Sequence, residues 1–192
     1  MHSAVYAEFY RIVAGLDLSG PVLEVGATPS PDTLLAMDLL RGRERYGVNI
    51  APASSFDGCP IIQANGNDLS FFEDGYFACV VSNATIEHDP YFWRSCAEMR
   101  RVLRPGGAAV IGAPGYGDEG NLPALGLPAP LNSPATADWP YSTLAYRYHG
   151  EPKDYYRFSP DAFREVIFEG YRDVTIRTVL VPPRHIGCGF KV

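Results

Sequence analysis

The side chains best suited to move a proton follow predicted strand ends. His88 comes after residues 76–82, an apolar run typical of a buried strand, and so lies just past that strand's carboxyl end. An imidazole can take up a proton near neutrality, and His149 offers the same chemistry as a base or an orienting group on the substrate side. A histidine beside Glu87 and a helix start also has an ordinary structural use. Both interpretations of His88 stay open at this point.

A carboxylate lies inside the most informative stretch of the chain. Residues 21–26 form a short apolar run that contains Glu24 and stops at Gly26, which predicts a buried parallel strand turning sharply into a loop. In open α/β sheets, ligands bind in the crevice outside the carboxyl ends of the strands. Glu24 is therefore a candidate ligand-binding residue, although it could equally satisfy loop amides.

The elements around these residues alternate between helix and strand. An amphipathic helix is predicted over residues 3–15, and a helix from Pro31 to Gly42 follows the first strand. Further strands are predicted around residues 46–50, 61–66, 76–82, 108–113 and 174–181, and the proline, serine and glycine residues between 51 and 60 break any long helix there. A helix after Asp89 and another after Ser159, with Phe163, Val166 and Ile167 expected to point inward, complete the alternation. This order predicts an α/β fold with a doubly wound, mostly parallel sheet.

One long segment interrupts the pattern. Residues 114–150 are rich in glycine, proline and aromatic side chains, which is too apolar for a linker and too long for an ordinary connection. We interpret them as a substrate-side insertion or lid within a single domain of residues 1–192, whose first 18 residues carry the N-terminal helix. Their aromatic residues, Tyr116 among them, could line an acceptor pocket or form the insertion's own core.

Composition narrows the classes of partner. The net charge of −6 argues against nucleic acid or an anionic membrane as the main partner, because both require clustered lysine and arginine. The four cysteines include no CxxC pair and no histidine at metal-ligand spacing, so we expect buried reduced thiols and no metal site. No secretory leader or membrane-spanning stretch is predicted, and a cytoplasmic location is expected.

Five short motifs together resemble class I S-adenosylmethionine-dependent methyltransferases, specifically the type 11 small-molecule group. They occur in order between residues 20 and 115, at that family's spacing, and a weaker similarity continues through residues 149–160. The motifs are residues 22–26, 47–49, 67–77, 82–88 and 101–107. The resemblance implies a Rossmann-like sheet of seven strands with S-adenosylmethionine as the cofactor and a small-molecule methyl acceptor. Oligomeric state is not predicted.

The resemblance also assigns parts of the cofactor to positions of this chain. Glu24 and the backbone of Gly26 and Ala27 would hold the methionine end. The ribose and adenine would be held by Asn49 and Ile50 after the second strand and by Asp68 with Leu69 after the third. Asn83 and Ala84 would face the sulfonium. Independently of the resemblance, Tyr155 and Arg157 could pack against the insertion and hold it in place, or could contact the acceptor together with Tyr116. His88 and His149 are the candidate catalytic residues.

Two positions depart from the family pattern. Residues 27–30 replace the second and third glycines of the first loop, which narrows the backbone's approach to the cofactor. Asn49 replaces an acidic residue and offers one uncharged oxygen to the ribose hydroxyls, a loss of roughly 1–2 kcal/mol. We therefore expect a small-metabolite methyltransferase, and keep two alternatives: a binding or scaffolding protein that no longer uses the donor, and a non-methylating enzyme on the same fold. A dinucleotide dehydrogenase is disfavoured because no G-x-G-x-x-G follows the first strand.

Overall fold

A single eight-stranded sheet organises the protein. The computed structural model describes residues 1–16, 18–116, 153–180 and 183–192. The strands lie in the order β3-β4-β2-β1-β5-β6-β8-β7. Their bounds are β1 Val22–Val25, β2 Arg45–Asn49, β3 Ser54–Phe56, β4 Cys59–Gln63, β5 Phe77–Asn83, β6 Leu103–Pro114, β7 Tyr171–Leu180 and β8 Pro183–Lys191.

The centre of the sheet is parallel and both edges are antiparallel. Strands β4, β2, β1, β5 and β6 run in one direction, whereas β3 and the β8–β7 pair run against their neighbours. The predicted doubly wound, mostly parallel α/β sheet is confirmed, with eight strands in place of seven. Because β2 and β5 flank β1, the carboxyl ends of three central strands open at one edge of the sheet.

Helices cover both faces of the sheet. Helix α1, Ser3–Ala14, packs Val5, Phe9 and Val13 against one face. Helix α2, Phe92–Val102, buries Met99 and Val102 on the opposite face. The predicted helices at these two places are confirmed, and each buries one apolar stripe, as expected of amphipathic segments.

The additional strand belongs to a hairpin in a region for which only the absence of a long helix was predicted. Strand β3 pairs with β4 through a turn at Asp57 and Gly58, both of which have positive φ, at 48° and 76°. That pair of dihedral signs defines the type I′ turn, for which Asp-Gly is a preferred sequence. The prediction that residues 51–60 break any long helix is confirmed, whereas the hairpin itself was not predicted.

The helix predicted from Pro31 to Gly42 is also wrong. Two single 3₁₀ turns, Leu34–Ala36 and Asp38–Leu40, stand in its place. The carboxylate of Glu24 accepts hydrogen bonds from the hydroxyl of Thr33 and from the amide of Leu35, which fixes the start of the segment from outside. Burial of leucines on all sides of this segment then favours two short turns over one amphipathic helix.

The helix after Ser159 begins as predicted and then changes from α-helical to π-helical hydrogen bonding. The hydroxyl of Ser159 accepts from the amide of Ala162 and caps helix α3, Pro160–Ala162, which continues into a π turn over Phe163–Ile167. Phe163 and Ile167 are buried as expected, whereas Val166 is 43% exposed. A π turn places residues five apart on one face, so the expected inward direction of Val166 was wrong.

The remaining predictions concern the cysteines, membrane-spanning helices, metal sites and the insertion. All four cysteines are buried and free, as predicted. Within the described ranges no helix is long and apolar enough to cross a membrane, and no group of histidine, cysteine or carboxylate side chains could hold a metal ion. The proposed insertion or lid over 114–150 lies outside the described residues from 117 onward.

Candidate active site

A cleft of about 650 Å³ opens at the carboxyl ends of β1, β2, β4 and β5. This volume is in the range of small-ligand sites. The residues that line it come from the loops after those four strands and from the first turn of α2: Val25, Gly26, Thr28, Val48, Asn49, Ile50, Ala51, Ala64, Asn65, Gly66, Ala84, Thr85, His88, Asp89, Pro90 and Ser95.

The turn after β1 forms the floor of this cleft. The amides of Gly26 and Ala27 both donate to the carbonyl of Val48, at 2.8 and 3.1 Å, which ties the turn to β2. Gly26 has a φ of +93°, and a Cβ there would meet the hydroxyl of Thr85 at 1.9 Å. A side chain at position 26 would therefore collide with the loop after β5. Ala27 is buried and does not line the cleft.

Glu24 lies beneath the turn and outside the cleft lining. It is 4% exposed, and one of its oxygens accepts from Thr33 and Leu35. Burial raises the pKa of this carboxyl, while the same hydrogen bonds act in the opposite direction. Its observed contacts are those of a loop anchor, the structural alternative that the sequence analysis retained.

We call residues 49–51 and 64–67 the nucleoside wall. Both ends of the Asn49 amide are engaged there: Nδ2 donates to the carbonyl of Ala27 at 2.7 Å, and Oδ1 accepts from the amide of Ala51 at 2.9 Å. Ile50 is 66% exposed and presents an apolar side chain to the cleft. Two of the predicted binding residues therefore line this wall, one of them with its polar atoms already hydrogen-bonded.

A polar network closes the lower end of the nucleoside wall. Asn65 Oδ1 accepts from the amide and from Nδ2 of Asn67, at 3.0 and 2.9 Å. Nδ2 of Asn67 also donates to both carboxylate oxygens of Asp89 at 3.0 Å. The same carboxylate accepts from the amide of Tyr91 at 2.8 Å and from the hydroxyl of Ser95 at 2.7 Å. Asp89 thus joins the nucleoside wall to α2.

The structure does not bring Asp68 and Leu69 to the cleft. Asp68 is exposed, and its carboxylate accepts from the amide of Ser70 at 3.1 Å. Leu69 is fully buried in the core. The cleft is reached instead by Ala64, Asn65 and Gly66, which immediately follow β4. The rule that ligands meet strand ends would have selected these residues, because the third predicted strand ended near Asn65-Gly66.

The loop after β5 begins with a strained residue. Ala84 lines the cleft and has a φ of +53°, a conformation that costs a non-glycine residue about 1 kcal/mol or more. Asn83 lies just outside the lining, and its Oδ1 accepts from Nη1 of Arg184 at 2.8 Å. The hydroxyl of Thr85 donates to the carbonyl of Val25 at 3.2 Å. These contacts tie the loop to β1 and to β8.

We call residues 83–88 and 153–157 the acceptor side. His88 lines the cleft, and its Nδ1 lies 2.9 Å from the carbonyl of Lys153. A carbonyl only accepts, so Nδ1 is the donor in this contact. Nε2 lies 3.9 Å from Oε1 of Glu87.

Glu87 is the least satisfied charge of the site. Its side chain is fully buried, and neither carboxylate oxygen has a hydrogen-bond partner within the described part of the chain. Burial raises the pKa of this carboxyl, against the attraction of Arg184 and His88. Burial likewise lowers the pKa of the Arg184 guanidinium, whose Nε also has no partner among the described residues. Sequence reasoning treated Glu87 only as a neighbour of His88.

The predicted acceptor contacts lie next to the cleft and outside its lining. Arg157 forms a two-pronged ion pair with Asp154, at 2.5 and 2.6 Å. Tyr155 is 45% exposed, and its amide donates to the carbonyl of Glu87 at 2.8 Å. Tyr116 is 40% exposed and follows Gly115, which bridges to Phe158. His149 lies outside the described residues.

The fold and the cleft define a doubly wound α/β protein with a ligand site at the carboxyl ends of its central strands. Residues 1–111 match the profile of a family described as "Methyltransferase domain". Because this match covers more than half of the chain, the protein belongs to that methyltransferase family, and membership implies S-adenosylmethionine as the cofactor.

Similar proteins agree with this assignment. An uncharacterized methyltransferase of Mycobacterium sp. (strain KMS) is 37% identical over 97 residues, which is 47% of this chain and 37% of the relative. A S-adenosylmethionine-dependent methyltransferase from Archaeoglobus fulgidus superposes with a TM-score of 0.66 at 16% identity, covering 98% of this chain and 93% of its own. The Burkholderia thailandensis 1,6-didemethyltoxoflavin-N1-methyltransferase gives 0.62 at 15% identity, over 99% and 77%. At these identities the solved structures support the fold alone, and the chain spans little more than a third of its mycobacterial relative.

Proposed function

We propose that the chain is an S-adenosylmethionine-dependent methyltransferase that acts on a small metabolite. The observation that carries the proposal is the cleft itself, which lies at the strand ends of a member of the methyltransferase family and reaches from the nucleoside wall to His88. The acidic net charge favours a small-molecule acceptor over nucleic acid. The four buried, unpaired thiols favour a reducing, cytoplasmic location.

The residues present fit the cofactor at three points. Gly26 lines the floor without a side chain, although its amide and that of Ala27 already donate to Val48. Ile50 offers an apolar face to a base, and Nδ2 of Asn65, which has no partner among the described residues, offers it a donor. The methionine end would lie along the Gly26 turn, with Glu24 supporting that turn from below.

The acceptor would approach from the acceptor side. When bound, S-adenosylmethionine supplies an electrophilic methyl group, so the protein's main task is to align a nucleophile with it. The hydrogen bond to Lys153 fixes the His88 ring. Nε2 then either takes the proton of an oxygen or nitrogen nucleophile or, with Glu87, retains one and orients the acceptor.

One observation favours an alternative, a methyltransferase fold that no longer uses the donor. Among the described residues, Asp89 is the one carboxylate that lines the cleft, and its oxygens are engaged by Asn67, Tyr91 and Ser95. Asn49 is occupied at both ends as well. No described carboxylate of the cleft is therefore free to receive ribose hydroxyls, which would weaken donor binding by roughly tenfold or more.

Calorimetry separates the two functions. Titration of the folded protein with S-adenosylmethionine and S-adenosylhomocysteine should give saturable heat under the methyltransferase proposal. A folded sample that shows no heat at millimolar ligand would favour the scaffold. A screen of small acceptors for methyl transfer would then identify the substrate class, with His88→Ala distinguishing chemistry from binding.

A further inference from the structure

Residues 153–157 are held against the loop after β5 by hydrogen bonds. The amide of Tyr155 donates to the carbonyl of Glu87 at 2.8 Å, and Nδ1 of His88 donates to the carbonyl of Lys153 at 2.9 Å. In the second contact a backbone group of one segment fixes a side chain of the other. The orientation of the His88 ring therefore depends on where the carbonyl of Lys153 lies.

An ion pair within residues 153–157 constrains the shape of that segment. Nη1 and Nη2 of Arg157 donate to the two carboxylate oxygens of Asp154, at 2.5 and 2.6 Å, and Nη1 also donates to the carbonyl of Tyr156 at 2.8 Å. The Asp154 side chain is fully buried, and that of Arg157 is 14% exposed. Removing one partner of a buried pair leaves an uncompensated charge, which is strongly unfavourable. The pair therefore fixes the backbone directly after Lys153.

We propose that Asp154 and Arg157 are positioning residues that act through His88. Their ion pair places the carbonyl of Lys153 so that it selects the neutral tautomer with the proton on Nδ1, because a carbonyl can only accept. His88 lines the cleft, whereas Lys153, Asp154 and Arg157 lie outside its lining. The inference rests on the proposed function, since the tautomer matters for methyl transfer only if His88 faces the acceptor.

Nitrogen NMR of the purified protein tests this inference without an acceptor. Long-range ¹H–¹⁵N correlation spectra distinguish the two neutral tautomers of a histidine ring, and His88→Ala identifies the signals of His88. The spectra are recorded at about pH 8.5, well above the ordinary histidine pKa of about 6.5. Wild-type protein should carry the proton on Nδ1. In Asp154→Asn the ratio of tautomers should shift about fivefold toward Nε2–H, the effect of losing one ordinary hydrogen bond.

Arg157→Lys keeps the inference testable if Asp154→Asn does not fold. It retains a positive charge beside Asp154 but loses the two-pronged contact, so the ratio should shift in the same direction by a smaller factor. Asp161→Asn is the matched control, because Asp161 and Arg164 form an exposed ion pair with the same spacing, at 3.2 Å. The ratio of tautomers should stay at the wild-type value in this control.

Three results would overturn the inference. They are a wild-type ring with its proton on Nε2, a wild-type ratio in both Asp154→Asn and Arg157→Lys, and an equal shift in Asp161→Asn. Calorimetric titration of the same samples with S-adenosylhomocysteine tests the proposed function separately, and the affinity of the folded variants should stay within about threefold of wild type. Folded wild-type protein that shows the expected tautomer and no binding would contradict the proposed function instead.

Discussion

The nucleoside wall and the acceptor side differ in how far their polar groups are satisfied. On the nucleoside wall, amides bond to one another over short stretches of chain, as Asn65 does with Asn67, although the buried Oδ1 of Asn67 has no partner within the described ranges. On the acceptor side, Glu87 is buried and neither of its oxygens finds a hydrogen-bond partner within those ranges, and the same holds for Nε of the neighbouring Arg184. Buried polar atoms without partners are rare and costly, so they point to a functional use or a missing ligand. The nucleoside wall is therefore largely preorganised by its own hydrogen bonds. The acceptor side instead holds buried polar atoms that are available to interact with a ligand.

The largest expected effect is on stability and concerns Gly26, where the nucleoside wall and the acceptor side meet. Gly26→Ala forces a Cβ onto Thr85 at a φ of +93°, and we expect a loss of about 3 kcal/mol in unfolding free energy, with loss of S-adenosylhomocysteine binding. Gly58→Ala is the control, because Gly58 has a φ of +76° and no atom within 4 Å of the added Cβ. It should cost about 1 kcal/mol. Equal costs by urea denaturation would show that the Thr85 contact is unimportant.

The second prediction concerns the anchor beneath the floor. Glu24→Ala leaves the hydroxyl of Thr33 and the amide of Leu35 buried without an acceptor, and should cost about 2–3 kcal/mol by the same measurement. Glu24→Gln retains one oxygen and should cost about 1 kcal/mol. If both variants lose the same amount, the carboxylate's charge, and not its role as an acceptor, holds the segment.

The third prediction uses pH to probe the acceptor side. Because burial raises the pKa of Glu87, its contribution to stability is present at low pH and is lost as pH rises above the ordinary carboxyl value of 4.5. Glu87→Gln removes this loss and should be about 1–2 kcal/mol more stable than wild type at pH 8, with a smaller advantage at pH 5. The charged groups facing it, Arg184, His88 and Asp154, are unchanged by the variant. A pH-independent difference would mean that folding does not raise the pKa of Glu87.

The smallest expected effect concerns the nucleoside wall. Asn49→Asp cannot donate to the carbonyl of Ala27 and should lower unfolding free energy by about 1 kcal/mol. Asn65→Asp keeps its hydrogen bonds and should leave stability within about 0.5 kcal/mol of wild type. Identical melting temperatures for the two variants would argue that the Asn49 contact contributes nothing to stability.

Sequence reasoning succeeded where local pattern and structure agree. The parallel strands, α1 and α2 follow from apolar runs and helical spacing, and the family resemblance placed Asn49, Ile50, Ala84 and His88 on the cleft. The hairpin at Asp57-Gly58 was also readable, because it depends on two adjacent residues. The Asp-Gly pair was not interpreted as a hairpin turn.

What escaped prediction depends on contacts between distant residues. The helix expected after Pro31 fails because Glu24, in the preceding strand, accepts from the amide of Leu35. The Lys153 contact that fixes the ring of His88 joins residues 65 positions apart, and Arg184 reaches Asn83 across 101. No local spacing encodes such pairs. The family resemblance pointed to Asp68 and Leu69, whereas Ala64, Asn65 and Gly66 line the cleft.

The hydrogen bond between Glu24 and the Leu35 amide can also be followed by hydrogen exchange. The Leu35 amide donates to a side chain 11 positions away, so its protection from solvent deuterium reports whether the segment after β1 is docked on the sheet. Slow exchange of the Leu35 amide would be unusual, because this segment has no long helix to protect its amides. Its exchange rate would follow local opening of this segment separately from global unfolding, and nucleoside binding at the neighbouring turn should slow it.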